Sequence, residues 1–282
     1  MTAASAPDPS AAPAAPAALA SIASLEAVWR ERRSVRGFLP APIPHADLAR
    51  VFSAAQHAPS WCNTQPWRVA VTEPPATAAL AEALQAAARA RLPAPEVAFP
   101  GEYPSPYRER RVACGAALYQ ALGVARGDQA GRYAAWLRNY AFFGAPHVAI
   151  VACDRRLGPY AYVDLGVWLG YVLTAATAAG IATCAMASVA AYPDVLRAHL
   201  PIADGETVVF GLALGRLDPE APANACRTTR EDVSANVAFV TALTGAPAAP
   251  RLRRCRAPAA DTSPSRPASA ARGPSGSSGG PR

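Results

Sequence analysis

The chain has 282 residues, 51% of them hydrophobic, and a formal net charge of +7, so it is long enough to bury a sizeable core. Seven arginines follow Thr244 against one acidic residue, Asp261, which gives this tail a balance of +6 and leaves +1 for the rest. A nearly neutral body argues against a specific nucleic-acid partner.

Both ends of the chain are predicted to lack a fold. Residues 1–20 consist almost wholly of Ala, Pro and Ser, and residues 245–282 of Pro, Ala, Ser, Gly and Arg. Neither segment carries enough apolar side chains to offset the entropy of ordering. We therefore expect one folded domain, residues 21–244, between two disordered tails of which the second is basic.

The body mixes helix and strand patterns without a regular alternation. The predicted helices are Leu25–Arg32, Pro44 to Pro59, Ala76–Arg91, Tyr107–Ala125, Asp128–Tyr140, the apolar run after Asp164, Tyr192–Leu200 and Thr229–Ala242. The predicted strands are Trp67–Thr72, His147–Cys153 and Thr207–Gly215, and Ile181–Met186 is predicted to be a strand or a turn. This order predicts an α+β layered fold.

The run from Leu165 to Tyr192 carries no formal charge and is long enough to cross a bilayer. Its many small and hydroxyl residues, and a helix stop at Gly180, favour a buried core helix and no membrane. The 6 cysteines show no metal-ligand spacing, so we expect free thiols and no metal. Without a recognisable secretory signal, the expected compartment is the cytoplasm.

Arg32-Arg33-Ser34-Val35-Arg36 gathers three guanidiniums and a hydroxyl in five residues. In an extended backbone Arg32, Ser34 and Arg36 point to one side. Guanidiniums bind phosphate oxygens in pairs, so the segment predicts a phosphate site. A solvated charged face is the alternative that the charges alone leave open.

Four segments carry a resemblance to a known family. They are R-R-S-V-R-G-F at Arg32–Phe38, A-P-S-W-C-N-T-Q-P-W at Ala58–Trp67, G-I-A-T-C-A-M-A-S at Gly180–Ser188, and G-L-A-L-G-R-L-D-P-E-A-P-A-N-A-C-R-T-T-R-E at Gly211–Glu231. In this order and spacing they resemble the FMN-dependent nitroreductase family, in particular the branch that reduces nitroaromatics such as nitrobenzoates.

The resemblance implies an intertwined homodimer with a three-layer α-β-α fold, in which helices wrap a central, mostly antiparallel sheet. It also implies two interfacial clefts, each holding FMN without covalent attachment, with ligands from both chains. The activity implied is reduction of the flavin by NAD(P)H through hydride transfer to N5, followed by reduction of a small nitroaromatic, in ping-pong order. Dehalogenation, flavin fragmentation, azoline dehydrogenation and non-catalytic flavin binding stay open as alternatives.

The same resemblance assigns roles to individual residues, with no catalytic side chain because the flavin carries the chemistry. Arg32 and Ser34 are implied as phosphate and ribityl ligands, Arg33 as a further cofactor contact, and Arg36 as the cation near the pyrimidine ring. The remaining cofactor contacts implied are Pro59, Ser60 and Asn63 from the partner, Ala187 and Ser188 over the ring, and Arg227 and Arg230 on the phosphate. Phe142 and Phe143 are implied as substrate contacts, with core packing as the alternative.

Overall fold

The computed structural model describes residues 21–241, so the two predicted tails, residues 1–20 and 245–282, lie outside the described residues. The α-helices are α1 Ile22–Glu31, α2 His45–Ala55, α3 Ala76–Ala90, α4 Tyr107–Ala121, α5 Gln129–Leu137, α6 Pro159–Ala178 and α7 Pro193–His199. The strands are β1 Phe38–Leu39, β2 Arg68–Thr72, β3 His147–Asp154, β4 Ala182–Met186 and β5 Glu206–Leu217.

Strand β5 organises the sheet, because it pairs antiparallel with β1, β3 and β4, and β3 pairs antiparallel with β2. Along β3 the side chains alternate between two cores. Val148 and Ile150 pack with residues of α3 and α7, whereas Ala149 and Val151 pack with residues of α2 and α6. A sheet with helices on both faces buries both sides of its central strands. The predicted α+β fold with a mostly antiparallel sheet is confirmed.

Helix α1 begins at Ile22, three residues before its predicted start. The hydroxyl of Ser21 accepts a hydrogen bond from the backbone N–H of Ser24 at 3.3 Å. A Ser side chain at this position satisfies an N–H that the first turn would otherwise leave without a partner. The helix ends at Glu31, so Arg32 leaves it in an extended conformation.

Helix α6 has one buried and one exposed face. Leu165, Trp168 and Val172 are fully buried, whereas Tyr160 and Val163 are about 60% exposed. The prediction of a buried core helix is therefore correct for one face only. By length and composition α6 is the one helix in the described part that could cross a membrane, which is weak evidence because core helices of soluble proteins meet the same criteria.

The predicted helix Thr229–Ala242 is wrong over the residues that the structure describes. Contacts divide the chain after Thr229. In residues 230–241 the structure has one 3-10 turn, Val233–Ala235, which begins where the Asp232 carboxylate accepts from the N–H of Ser234 at 2.9 Å. Phe239 and Val240 are largely exposed. Because most helices in proteins are stabilised by packing an apolar face, an unburied and β-branched stretch of this kind does not form one.

Candidate functional site

The Arg32–Arg36 segment runs along the open edge of β4. Ser34 forms a parallel bridge with Thr183, and the N–H of Val35 donates to the Thr183 carbonyl at 2.9 Å. Val35 is buried and Ser34 is exposed, so these two side chains face opposite sides, whereas Arg32 lines one cavity together with Val35. The segment then turns toward the end of β5, since the Gly37 carbonyl accepts from the N–H of Asp218 at 3.1 Å and Phe38 pairs with Leu217.

Arg33 has a different setting from its neighbours. Its guanidinium pairs with Glu31 at 3.0 Å, and its Nε is buried with no hydrogen-bond partner among residues 21–241. It alternates with Ser34 and so lies on the side of Val35, beside a cavity of about 130 Å³ that Arg32 also lines. A cofactor contact of Arg33 stays a prediction.

Asn224 joins the arginine segment to the chain after β5, and sequence reasoning gave it no role. Its side-chain oxygen accepts from the N–H of Arg36 at 2.8 Å, and its side-chain nitrogen donates to the carbonyls of Gly37 and Asp218, each at 2.8 Å. Gly37 is required here, because a Cβ would collide with the side chain of Ala221. The guanidinium of Arg227 donates to the Asn224 carbonyl at 2.7 Å, which holds Arg227 near Arg36.

A cavity of about 160 Å³ opens beside Arg36. Its polar lining comes from Arg36, Arg138 and Asn139, and its apolar lining from Phe143, Leu118, Leu122, Ala135 and Ala223. Arg138 donates to the Arg36 carbonyl at 3.0 Å, and the hydroxyl of Ser188 donates to the side-chain oxygen of Asn139 at 3.2 Å. Arg36 and Phe143 thus line one cavity, Ser188 contacts its lining through Asn139, and Arg138 and Asn139 are additional polar residues of this site.

Phe142 and Phe143 lie in strained backbone directly before β3. Their φ angles are 52° and 56°, in the left-handed region that side-chain-bearing residues rarely adopt. Phe142 is 0% exposed and Phe143 6% exposed, and the Arg36 guanidinium lies 6.0 Å from the Phe143 ring centroid. Phe142 therefore belongs to the core, Phe143 also lines the cavity, and a substrate contact stays a prediction for both.

The charges of this site suit an anion. Within the described part of the chain Arg32, Arg36 and Arg227 form no ion pair with a carboxylate. Burial raises the pKa of the Cys184 thiol on β4 to about 11, although the positive charges of Arg36 and Arg32 act in the opposite direction. The charges of Arg36 and Arg32 are thus both close enough to Cys184 on β4 to lower the pKa of its thiol. Unpaired arginines beside a hydroxyl are the donor set that a phosphate monoester requires, so the residues present fit FMN.

Pro59, Ser60 and Asn63 lie in a separate turn between α2 and β2. Cys62, Asn63 and Gln65 have φ angles of 49°, 57° and 46°. The turn is held by the Ser60 hydroxyl, which accepts from the N–H of Gln65 at 2.9 Å, and by the buried carboxylate of Asp164 on α6, which accepts from the N–H of Trp61 at 3.0 Å. These residues do not line the cavity beside Arg36, and strain in an exposed turn is typical of functional segments.

The structure thus places Arg32 and Ser34 beside β4, and Arg36 and Phe143 at one cavity. Ser188 bonds to Asn139 of that cavity, and Arg227 bonds to Asn224, which holds Arg36. Ala187 directly follows β4. Within the single chain the predicted residues of the Pro59–Asn63 turn stand apart from this group. Arg230 begins the second unit of the chain, which is described by itself. All these cofactor contacts remain predictions.

The chain was compared with known proteins. Residues 29–216 match the nitroreductase family. The chain is 36% identical over 219 residues to nitroreductase NfnB of Mycolicibacterium smegmatis, which covers 76% of this chain and 92% of that protein. It is 33% identical over 207 residues to a 4-nitrobenzoate reductase of Pseudomonas putida, with coverages of 73% and 91%.

Among solved structures, the FMN-dependent nitroreductase NfnB from Mycobacterium smegmatis in complex with NADPH superimposes with a TM-score of 0.74 at 34% identity. The match covers 78% of this chain and 100% of that one. The chain belongs to the nitroreductase family, which confirms the resemblance drawn from its four motifs.

Proposed function

We propose that this protein is a homodimeric, FMN-dependent oxidoreductase that takes electrons from NADPH and uses them to reduce the nitro group of small aromatic compounds. Family membership supports this proposal, together with relatives named as nitroreductases and 4-nitrobenzoate reductases. A structural relative that was solved as an FMN-dependent enzyme in complex with NADPH supports the choice of cofactor and reductant.

The observation that carries the proposal is a cavity lined by the unpaired guanidinium of Arg36 and the ring of Phe143, with Arg32 and Ser34 on the same segment of chain. When bound, FMN would supply the redox chemistry between NADPH and the nitro compound. Arg32 and Ser34 bind its phosphate, and Arg36 stabilises negative charge that develops on the ring. Phe143 and the leucines of α4 keep water from the cavity, whose volume of about 160 Å³ suits a substituted benzene ring.

The homodimer is proposed from the exposed face of α6. An apolar groove of about 720 Å³ runs between α1 and α6, lined by Leu25, Trp29, Gly166, Gly170 and Tyr171 together with Arg32. A second copy on this groove would bury the apolar face beside Arg32 and could bring its own Pro59–Asn63 turn to the cofactor. NADPH as the reductant, and the five free cysteines of the described residues, favour the cytoplasm.

Absorption spectroscopy and reoxidation test the activity. We expect the purified protein to carry the yellow colour of oxidised flavin, to lose it when NADPH is added without oxygen, and to regain it when 4-nitrobenzoate follows. A colourless protein that takes up no added FMN would contradict the cofactor assignment. Flavin that is reduced but not reoxidised by any nitro compound would contradict the nitroreductase assignment and favour other flavin chemistry.

The phosphate site is tested by Arg32→Gln. Loss of a charge-assisted hydrogen bond should weaken FMN binding by about 1.5–3 kcal/mol, measured by titrating the apoprotein with FMN. Arg30→Gln is the matched control, because Arg30 is exposed on α1 and pairs with Glu26. Equal FMN affinity in the two variants would show that Arg32 does not bind the phosphate.

A further inference from the structure

A second basic cavity lies between α4 and α5, apart from the arginine segment. Its volume is about 910 Å³, and three arginines line it, Arg111, Arg126 and Arg132. The rest of its lining consists of Val112, Cys114, Gly115, Ala116, Tyr119, Gln120 and Val124. No acidic side chain lines the cavity, so its electrostatic potential is positive.

The three guanidiniums are available to a ligand. None of them forms an ion pair within residues 21–241. Arg132 stacks over the ring of Tyr119, 4.9 Å from its centroid, and its Nε is buried with no hydrogen-bond partner in the described part of the chain. The nearby carboxylate of Asp128 is engaged elsewhere, because it caps α5 by accepting from the N–H of Gly131 at 2.8 Å.

This cavity adjoins the one beside Arg36, because both are formed by the same two helices. Leu118 on α4 and Leu122 just after it line the smaller cavity, whereas Tyr119 and Gln120 on α4 line the larger one. Arg132 lines the larger cavity and Arg138 the smaller, and six helical residues span roughly 9 Å. An extended dinucleotide is long enough to reach from one cavity into the other.

We propose that the larger cavity binds the adenosine 2′,5′-bisphosphate end of NADPH while the nicotinamide reaches the cavity beside Arg36, and that its arginines thereby select NADPH over NADH. This inference rests on the proposed function. A 2′-phosphate is a dianion, which guanidinium forks bind with paired hydrogen bonds. The stacked faces of Arg132 and Tyr119 offer a flat surface for the adenine ring.

Arg126→Gln and Arg132→Gln test the preference by steady-state kinetics. In each variant the KM for NADPH should rise roughly tenfold to hundredfold, as expected for loss of a charge-assisted hydrogen bond, with a much smaller change for NADH. Arg89→Gln on α3 is the matched control, because Arg89 is exposed and bonds only to Gln85 among the described side chains. Unchanged values, or equal rises for both nucleotides, would overturn the proposal.

The wild-type protein allows a second test that does not depend on the folding of a variant. Cys114 lines the cavity and is exposed, whereas the exposed Cys62 lies in the turn before β2. Adenosine 2′,5′-bisphosphate should slow the alkylation of Cys114 but not of Cys62, followed by mass spectrometry, and adenosine 5′-monophosphate should protect far less. No protection of Cys114, or equal protection by both nucleotides, would refute the site. A wild-type enzyme that does not oxidise NADPH would instead refute the proposed function.

Discussion

Replacing Asn224 should destabilise the fold and the candidate cofactor site together. The side chain is 7% exposed and makes three hydrogen bonds of 2.8 Å, to the N–H of Arg36 and to the carbonyls of Gly37 and Asp218. At about 1 kcal/mol for each bond, Asn224→Ala should lower the free energy of unfolding by about 3 kcal/mol. The backbone of Arg36 also loses its anchor, so FMN affinity should fall in the same variant.

Urea unfolding of the apoprotein, at one fixed protein concentration, measures the first effect, and titration with FMN measures the second. Asn236→Ala is the control, because Asn236 is exposed, and it should change the free energy of unfolding by less than about 0.5 kcal/mol. If Asn224→Ala is as stable as the control, the three bonds do not hold the segment, and our account of how Arg36 is positioned fails.

Three further predictions concern other parts of the chain. Asp164→Ala should release the Trp61–Gln65 turn and speed its amide hydrogen exchange, whereas Asp164→Asn, which keeps an acceptor for the Trp61 N–H, should not. Equal exchange rates in the two variants would contradict the role of Asp164. Glu96 accepts from Arg155, Arg197 and the N–H of Val208. Glu96→Ala should lower the free energy of unfolding in urea by about 2–3 kcal/mol, less than for a fully buried pair because these side chains are partly exposed. A decrease below about 0.5 kcal/mol would contradict this. Burial raises the pKa of Cys184 from 9.0 to about 11, so its neutral thiol stabilises the fold below pH 9, and this contribution is lost as the pH rises through 11. Cys184→Ala should flatten the decline in the free energy of unfolding over this range, and an unchanged pH profile of that free energy would contradict the prediction.

Sequence patterns located most of the sheet. The segments that became β3 and β5 are apolar without alternation and rich in β-branched residues, and such runs form strands buried on both faces. The two-residue strand β1 has no pattern of its own, because it exists only through its pairing with Leu217 and Arg216 of β5. Short strands of this kind depend on tertiary contacts that a local pattern does not contain.

The candidate site was predictable in part. Three guanidiniums in five residues are suited to an anion, which is why the Arg32–Arg36 segment stands out, although the charges alone also fit a solvated face. Asn224 and Asn139 were not predictable, because each acts through residues distant in the chain, such as the 188 positions that separate Asn224 from Arg36. The burial of Phe142 was not predictable either. A phenylalanine in the sequence is compatible with a ligand contact and with core packing, and the 0% exposure of this ring is known only from the packed structure.

The central position of β5 has a consequence for folding during translation. Ribosomes release the N-terminal end of a chain first, yet Phe38 pairs with Leu217 and Arg36 is held by Asn224, so the arginine segment must wait for almost the whole domain to be translated. Before β5 is translated, the Arg32–Arg36 segment is not yet held in place to bind FMN. With FMN bound at the proposed site, we expect cofactor loading to follow translation, so a nascent chain stalled before residue 206 should emerge unable to capture FMN.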